Sequence, residues 1–562
     1  MTAEYTLPAS DRNGTARARA LARVREVQAT PTSLVGYRAE GRVLIAGPDV
    51  MVREAAARLA ERGLTLSLLI TDGGADAPGA SGARVIRAGL AAVRGYLGAF
   101  EVDVDAAGEV RTLAPSVLTG NQPYDVVLDL THPAAIAAEV PPPGYFAPAR
   151  DADRLEAAMA AIPELTGEFE KPRYFAYDTD ICAHGARGQS GCRRCLSACP
   201  TDAITSIGER IEVDPHLCQG GGACATACPT GAITYAYPPP ADLSDRLRLV
   251  LSTYREAGGT APVVLFHDGD AGHAWLLDSA QELPGNVLPF AVEEVGSVGL
   301  ETWLSLLAFG ALRVLILAGP ALPASVRAEL DAQIEVAAAI LDALGHAPGA
   351  VRVVEAVPAA DLVSVLAAGP PFAASAAAGF AGVANKREAL RLAIDHLYKE
   401  AVSPPAETPL PAHAPFGRIH VDAATCTLCL ACVSVCPAGA VLAAGDRPRL
   451  DFVEQNCVQC GLCASACPED AIRLEARLLF DRERRAARQV LNEDHPFACI
   501  DCGKVFGTTR TIDRMLDKLA GHWMFQDKPE QLRRLRMCED CRVKDMFKDG
   551  GGLLDVERAP RQ

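Results

Sequence analysis

The stretch Cys426-Thr427-Leu428-Cys429-Leu430-Ala431-Cys432-Val433-Ser434-Val435-Cys436-Pro437 decides the reading of this chain. It spells Cys-x2-Cys-x2-Cys-x3-Cys-Pro. The run Cys457-Val458-Gln459-Cys460-Gly461-Leu462-Cys463-Ala464-Ser465-Ala466-Cys467-Pro468 repeats it 31 residues later. At this spacing three thiolates of one tight loop wrap three corners of an iron–sulfur cubane, and the fourth ligates the neighbouring cubane. Cys426, Cys429, Cys432 and Cys467 are therefore expected to hold one [4Fe–4S] cluster. Cys457, Cys460, Cys463 and Cys436 are expected to hold a second. Pro437 and Pro468 lack an N–H and fix the turn out of each loop.

A second pair of runs lies upstream. Ala198-Cys199-Pro200-Thr201-Asp202-Ala203-Ile204 and Ala227-Cys228-Pro229-Thr230-Gly231-Ala232-Ile233 repeat the closing words of the first pair. Here the pattern is altered. Cys192-x2-Cys195-x3-Cys199-Pro200 is intact, but the opening ligand is Cys182, separated from Cys192 by nine residues. The intervening segment, rich in glycine, is long enough to return Cys182 to a cluster. Cys182, Cys192, Cys195 and Cys228 then make a third [4Fe–4S] site. His184, in the same segment, reads as a solvated loop histidine. In the partner run, Cys218-Gln219-Gly220-Gly221-Gly222-Ala223-Cys224, Gly221 stands where the second cysteine belongs. Cys199, Cys218 and Cys224 remain. Three thiolates point to a [3Fe–4S] cluster, with an open-site [4Fe–4S] carrying a non-cysteine ligand, or no cluster, as alternatives.

Four more cysteines, Cys499, Cys502, Cys538 and Cys541, form two Cys-x2-Cys knuckles. Four thiolates in that arrangement make a tetrahedral structural zinc site, with a rubredoxin-like iron as the alternative. The tail between them reads mostly helical over 509–536. Its arginines, Arg482, Arg484, Arg485, Arg533, Arg534 and Arg536, read as a solvated helix face.

The remaining chain sets these modules in context. With 562 residues, about three to five domains are expected, at roughly 100–200 residues each. A net charge of −16 argues against nucleic acid or an anionic membrane as partner. No run approaches the length of a transmembrane helix, and residues 1–30 lack the apolar core of a signal peptide. Nineteen cysteines in so long a chain favour metal ligation over disulfides and a cytoplasmic location.

The fold class expected is α/β plus α+β. It comprises two bacterial-ferredoxin-like modules, two α/β regions with parallel sheets and a zinc-ribbon-like end. Residues 1–40 read as a mobile arm with some helical character. Residues 41–145 read as an α/β domain, with strands at 42–46, 64–71 and 126–130 and a helix at 50–62. The first ferredoxin-like module follows at 168–238, after a helix at 150–162. Residues 241–400 form the second α/β domain, with strands at 263–267, 313–318 and 351–355 and helices at 299–310 and 324–344. A Pro/Ala-rich linker (401–416), the second ferredoxin-like module (417–478) and the four-cysteine tail (479–562) complete the chain. Neither α/β region carries a nucleotide fingerprint: Gly47-Pro48-Asp49 follows the strand at 42–46, where a dinucleotide site needs G-x-G-x-x-G.

Two resemblances add to this reading. Residues 283–319, from Leu283-Pro284-Gly285-Asn286 through Glu293-Glu294-Val295-Gly296-Ser297 to Leu317-Ala318-Gly319, resemble the delta subunit of methyl-viologen-reducing hydrogenases. The resemblance implies a docking fold, without that family's cluster cysteines, since no cysteine lies between Cys228 and Cys426. The opening Tyr177-Asp178-Thr179-Asp180-Ile181-Cys182-Ala183-His184, with the altered first and intact second module, resembles the large bacterial cytoplasmic ferredoxin-type proteins associated with formate dehydrogenase components. This implies a relay of single electrons to or from a protein redox partner, formate dehydrogenase being the candidate. The alternatives are an accessory factor in maturing a molybdenum or tungsten formate dehydrogenase, and an enzyme working at the cluster near Gly221. The expected inventory is three [4Fe–4S] clusters, one three-cysteine cluster and one zinc.

Overall fold

The computed structural model describes residues 7–27, 30, 32–72, 83–148, 150–269, 271–356, 376–445, 447–526 and 528–548. The chain divides into two compact units. One comprises Met1–Thr179 with Arg193–Val402, the other Asp180–Cys192 with Ser403–Gln562.

In the first unit, strands Arg84–Arg87, Thr65–Ile70, Arg42–Gly47, Val126–Asp129 and Tyr145–Phe146 lie side by side in that order, all parallel. The unbroken apolar run at 43–46 is explained by burial on both faces. Val43 and Ile45 pack with the helix Asp49–Leu59, and Leu44 and Ala46 pack on the opposite side. That opposite side is covered by an antiparallel meander, Gly89–Arg94, Glu101–Ala106 and Glu109–Ala114, that the sequence reading did not include. Its signal is the alternation Glu101-Val102-Asp103-Val104-Asp105, which buries Val102 and Val104.

A second parallel sheet orders Val287–Ala291, Val263–His267, Arg313–Ala318 and Val351–Glu355. Its helices include Pro240–Glu256, Leu300–Ala308 and Ala324–Ala343. The expected strands and helices of both α/β regions are present, within a few residues at their ends.

Residues 1–40 are not a mobile arm where they are described. Helix Arg12–Arg25, capped by the Asp11 carboxylate on Gly14 N–H, buries Ala16, Ala20 and Val24. Its Arg17 is fully buried, donating to the carbonyls of Pro284 (2.8 Å), Val287 (3.1 Å) and Pro8 (2.8 Å). Strand Leu34–Ala39 then pairs antiparallel with Gly167–Pro172. Small alanines against a helix neighbour give little hydropathy contrast, so the polar composition misled the reading.

In the second unit, Gly417–Val421 pairs antiparallel with Ile472–Leu479, closing the ferredoxin-type module on itself. Part of the expected linker joins that sheet: Glu407–Pro409 pairs with the other edge of Ile472–Leu479, and Ala414 and Phe416 are buried. Strands Val441–Ala443, Arg449–Phe452 and Gln489–Glu493 form a second small sheet. The tail carries a hairpin, Pro496–Ala498 with Val505–Thr508, and helices Thr509–Ala520, Pro529–Arg534 and Glu539–Lys548. Two tail arginines are not solvated. Arg485 is buried and donates to Leu479 O (3.0 Å), and Arg534 pairs with Asp545 (2.8 Å). Residues 549–562 of the expected tail lie outside the described residues.

Candidate functional site

In the second unit the two cysteine loops have the same backbone. Leu428 and Leu430 have positive φ, as do Gln459 and Gly461 at the equivalent positions of the repeat. These left-handed residues turn the chain around the middle thiol, Cys429 or Cys460, and deliver it into the short helices Ala431–Ser434 and Leu462–Ser465. Gly439 and Asp470, three residues after the closing cysteines, are left-handed too. They aim Ala440 N–H at Cys436 Sγ (3.3 Å) and Ala471 N–H at Cys467 Sγ (3.4 Å). Such N–H···S contacts stabilise thiolate charge.

A cavity beneath the first loop is lined by Cys426, Cys429, Cys432 and Cys467, with Leu428, Leu450 and Ile472 closing it. Burial pushes the Cys432 thiol up to about 12, helped by Cys429, Cys426 and Cys467. Burial likewise pushes Cys460 up to about 11, with Cys436 and Cys457 adding to it, and raises Cys463 further, with Cys457, Cys460 and Cys436 adding to it. The thiols of the two runs thus crowd together, and Cys463 feels Cys432 of the other run as well. Gathered thiolates cannot ionise in such surroundings without a cation between them. The donor set fits an iron–sulfur cluster, a core of thiophilic iron that supplies the missing positive charge.

The first ferredoxin-type run is divided. Cys182 and Cys192 belong to the second unit, and Cys195, Cys199, Cys218, Cys224 and Cys228 to the first. The segment between Cys182 and Cys192 is a short hairpin, Gly185–Ala186 with Gln189–Ser190. It rests on the second module: Arg187 donates to Ser434 O (3.2 Å), and a Cβ on Gly191 would stand 2.7 Å from Leu462 Cγ. His184 is buried, not solvated, with Nδ1 2.9 Å from Cys192 O. The hairpin's own backbone bonds, Cys192 N–H to Ala183 O among them, fold the histidine inward.

In the first unit, burial raises the Cys224 thiol well above its ordinary value, and Cys218, Cys199 and Cys195 raise it further. Those three sulfurs are therefore within electrostatic reach of Cys224. Gly220 and Gly222 have positive φ, matching Leu428 and Leu430 of the intact module. The loop keeps its shape although Gly221 supplies no thiol. A Cβ there would meet Pro200 Cγ at 3.3 Å, and no backbone atom within 4 Å.

One residue the sequence reading missed stands beside this loop. Lys171, on strand Gly167–Pro172, donates to Cys218 O (2.7 Å) and His216 O (2.8 Å), with its ammonium 5.0 Å from the Tyr37 ring centre. Burial pulls it down to about 8. A lone lysine in a polar strand leaves no mark in a motif.

In the tail the sulfurs of Cys499, Cys502, Cys538 and Cys541 all lie within 4.8 Å of one another. All but Cys502 are buried, with Met537 and Phe506 packed around them. Against the upward push of burial, the amides of Cys502, Cys538 and Asp501 bring the Cys499 thiol down to about 6. The group suits a thiophilic divalent ion. The tail also grips the cluster loop, which the sequence did not reveal. Arg514 donates to Thr425 O (2.7 Å) and pairs with Glu469 (2.8 Å), and the Thr511 hydroxyl donates to Thr427 O.

Comparison with known proteins bears on these loops directly. Residues 425–472 and residues 190–232 each match a family model described as a 4Fe-4S dicluster domain. The chain carries two ferredoxin-type domains. No curated protein matches it. Among the described residues no helix is long and apolar enough to cross a membrane.

Proposed function

We propose that this protein is a multi-cluster electron carrier serving a partner oxidoreductase, with a formate dehydrogenase as the partner and the cytoplasm as its place of work. The single observation that supports the reading is the repeated left-handed cysteine loop of the second module, the first copy of which brings Cys426, Cys429 and Cys432 to one cavity with Cys467 of the other run. Clusters held there supply one-electron storage and transfer. The residues Cys426, Cys429, Cys432 and Cys467 would hold one, and Cys457, Cys460, Cys463 and Cys436 the other. Cys182, Cys192, Cys195 and Cys228 would hold a third of the same kind. Cys199, Cys218 and Cys224 would hold a three-iron cluster, because Gly221 offers no ligand to a fourth iron. The tail thiols would hold zinc, and the α/β regions, 283–319 included, would dock the partner.

Low-temperature EPR on anaerobically purified protein, with iron and zinc quantified, tests this. The expected result is about fifteen irons, about one zinc and an oxidised-state three-iron signal near one spin per chain. Iron well below eight per chain would refute the carrier reading. About sixteen irons with no oxidised-state signal would refute the three-iron assignment and favour an open-site cluster that binds a small molecule.

A further inference from the structure

We infer that Lys171 is the positioning and charge-setting residue of the three-cysteine site: it fixes the loop that carries Cys218 and raises the reduction potential of the cluster bound there. The inference rests on the proposal that Cys199, Cys218 and Cys224 hold a cluster.

The geometry is specific. Lys171 comes from outside the ferredoxin-type run, from a strand whose register places Lys171 opposite Val35. Its Nζ spans two carbonyls of the ligand loop, His216 O and Cys218 O. The Tyr37 hydroxyl donates to the same His216 O (2.7 Å), and the Tyr96 ring stacks on His216 at 4.2 Å. The loop is thus held from one side by an ammonium and two tyrosines.

Cys199, Lys171 and Asp214 are among the charged groups acting on Cys218, and Lys171 is the cation of the three. Asp214 spends its carboxylate on the loop's own amides, accepting from His216 N–H (2.8 Å) and Leu217 N–H (3.3 Å). Reduction adds one electron to the thiolate-bound cluster and moves no proton in this scheme, so the site gains one negative charge. A fixed cation in half-buried surroundings favours that gain, since Coulomb interaction is far stronger there than in bulk water. Net charge is one of the quantities that set a cluster's potential.

The test is an anaerobic redox titration of the full chain, followed by EPR, for the wild type, Lys171→Met and Lys171→Arg. Lys171→Met should lower the potential of the three-cysteine cluster. At the wild-type midpoint, its oxidised-to-reduced ratio should rise about tenfold, equivalent to 59 mV for one electron. Lys171→Arg should stay within about threefold of wild type, about half that shift. The clusters of residues 426–467 should titrate unchanged in all three. Lys171→Met titrating with wild type would overturn the inference, as would Lys171→Arg falling as far as Lys171→Met. Should Lys171→Met lose the signal altogether, its retention in Lys171→Arg supports the charge-setting role and its loss in both refutes it. A wild type that lacks the signal while holding its other clusters refutes instead the ligand reading beneath the inference.

Discussion

Replacing Arg477 by methionine should destabilise the second unit severely, and the reason lies in one buried ion pair. Arg477 and Glu454 are 6% and 3% exposed. The guanidinium reaches the carboxylate with both arms, Nε to Oε1 at 3.0 Å and Nη2 to Oε2 at 2.7 Å. Its third arm meets Glu407, which is half exposed. Glu454 opens the turn that delivers Cys457, whose N–H donates to Glu454 O (3.0 Å). Arg477→Met leaves the Glu454 carboxylate buried without its cation, a loss of about 3–5 kcal/mol. In a unit of this size each kcal/mol moves the midpoint by about 2–4 °C, so a fall of roughly 6–20 °C is expected. Replacing both partners, Arg477→Met with Glu454→Leu, removes the stranded charge and should recover most of the loss, because a buried pair rarely outperforms well-packed apolar side chains. The assay is an anaerobic thermal scan that follows cluster absorbance and far-UV circular dichroism together. A single variant melting within about 2 °C of wild type would refute the reasoning. So would a double variant as weak as the single, since the penalty would then owe nothing to the isolated carboxylate.

Three further outcomes are expected. Gly221→Cys should add a ligand to a loop that already has the right turn, with only Pro200 Cγ to give by a few tenths of an ångström; iron should rise from about fifteen to about sixteen per chain and the oxidised-state three-iron signal should vanish. Cys502→Ser with Cys541→Ser should abolish zinc binding and raise amide exchange about tenfold or more in helix Thr509–Ala520, measured by hydrogen exchange, whereas unchanged protection would show that the metal does not organise the tail. Burial depresses His346 from 6.5 to about 4, so the fold favours its neutral form. The stability this gives the second α/β domain is full above pH 6.5 and is lost as pH falls towards 4. Urea midpoints at pH 7.5 and 5.0 should therefore differ more in wild type than in His346→Asn, and equal differences would contradict the assignment.

What the sequence made legible was whatever it encoded locally. The spacing of Cys426 to Cys436 and of Cys457 to Cys467 carries its own geometry, because loop, left-handed turn and short helix all fall within a dozen residues. The strands at 43–46 and 263–267 were readable because burial on both faces leaves a continuous apolar run. The docking of Arg12–Arg25 was not, since its contact surface is alanine and a buried arginine serving carbonyls. Lys171 and Arg514 share that invisibility: each acts on a backbone oxygen, and a backbone oxygen has no letter in the sequence. His184 was misread because the hairpin that buries it is closed by its own main chain.

The grip of the tail on the cluster loop also sets an order of events in time. Thr508, Thr511 and Arg514 meet the carbonyls of Thr427 and Thr425 across 81, 84 and 89 residues of chain. During synthesis the loop emerges first and its clasp follows, after roughly 4–18 s at ordinary elongation rates. For that interval Cys426 and Cys429 stand unlatched. Iron and sulfide delivered then meet an open loop, and delivered later they meet a closed one. Truncating the chain before the clasp would hold that window open permanently, exchanging ease of loading for ease of loss.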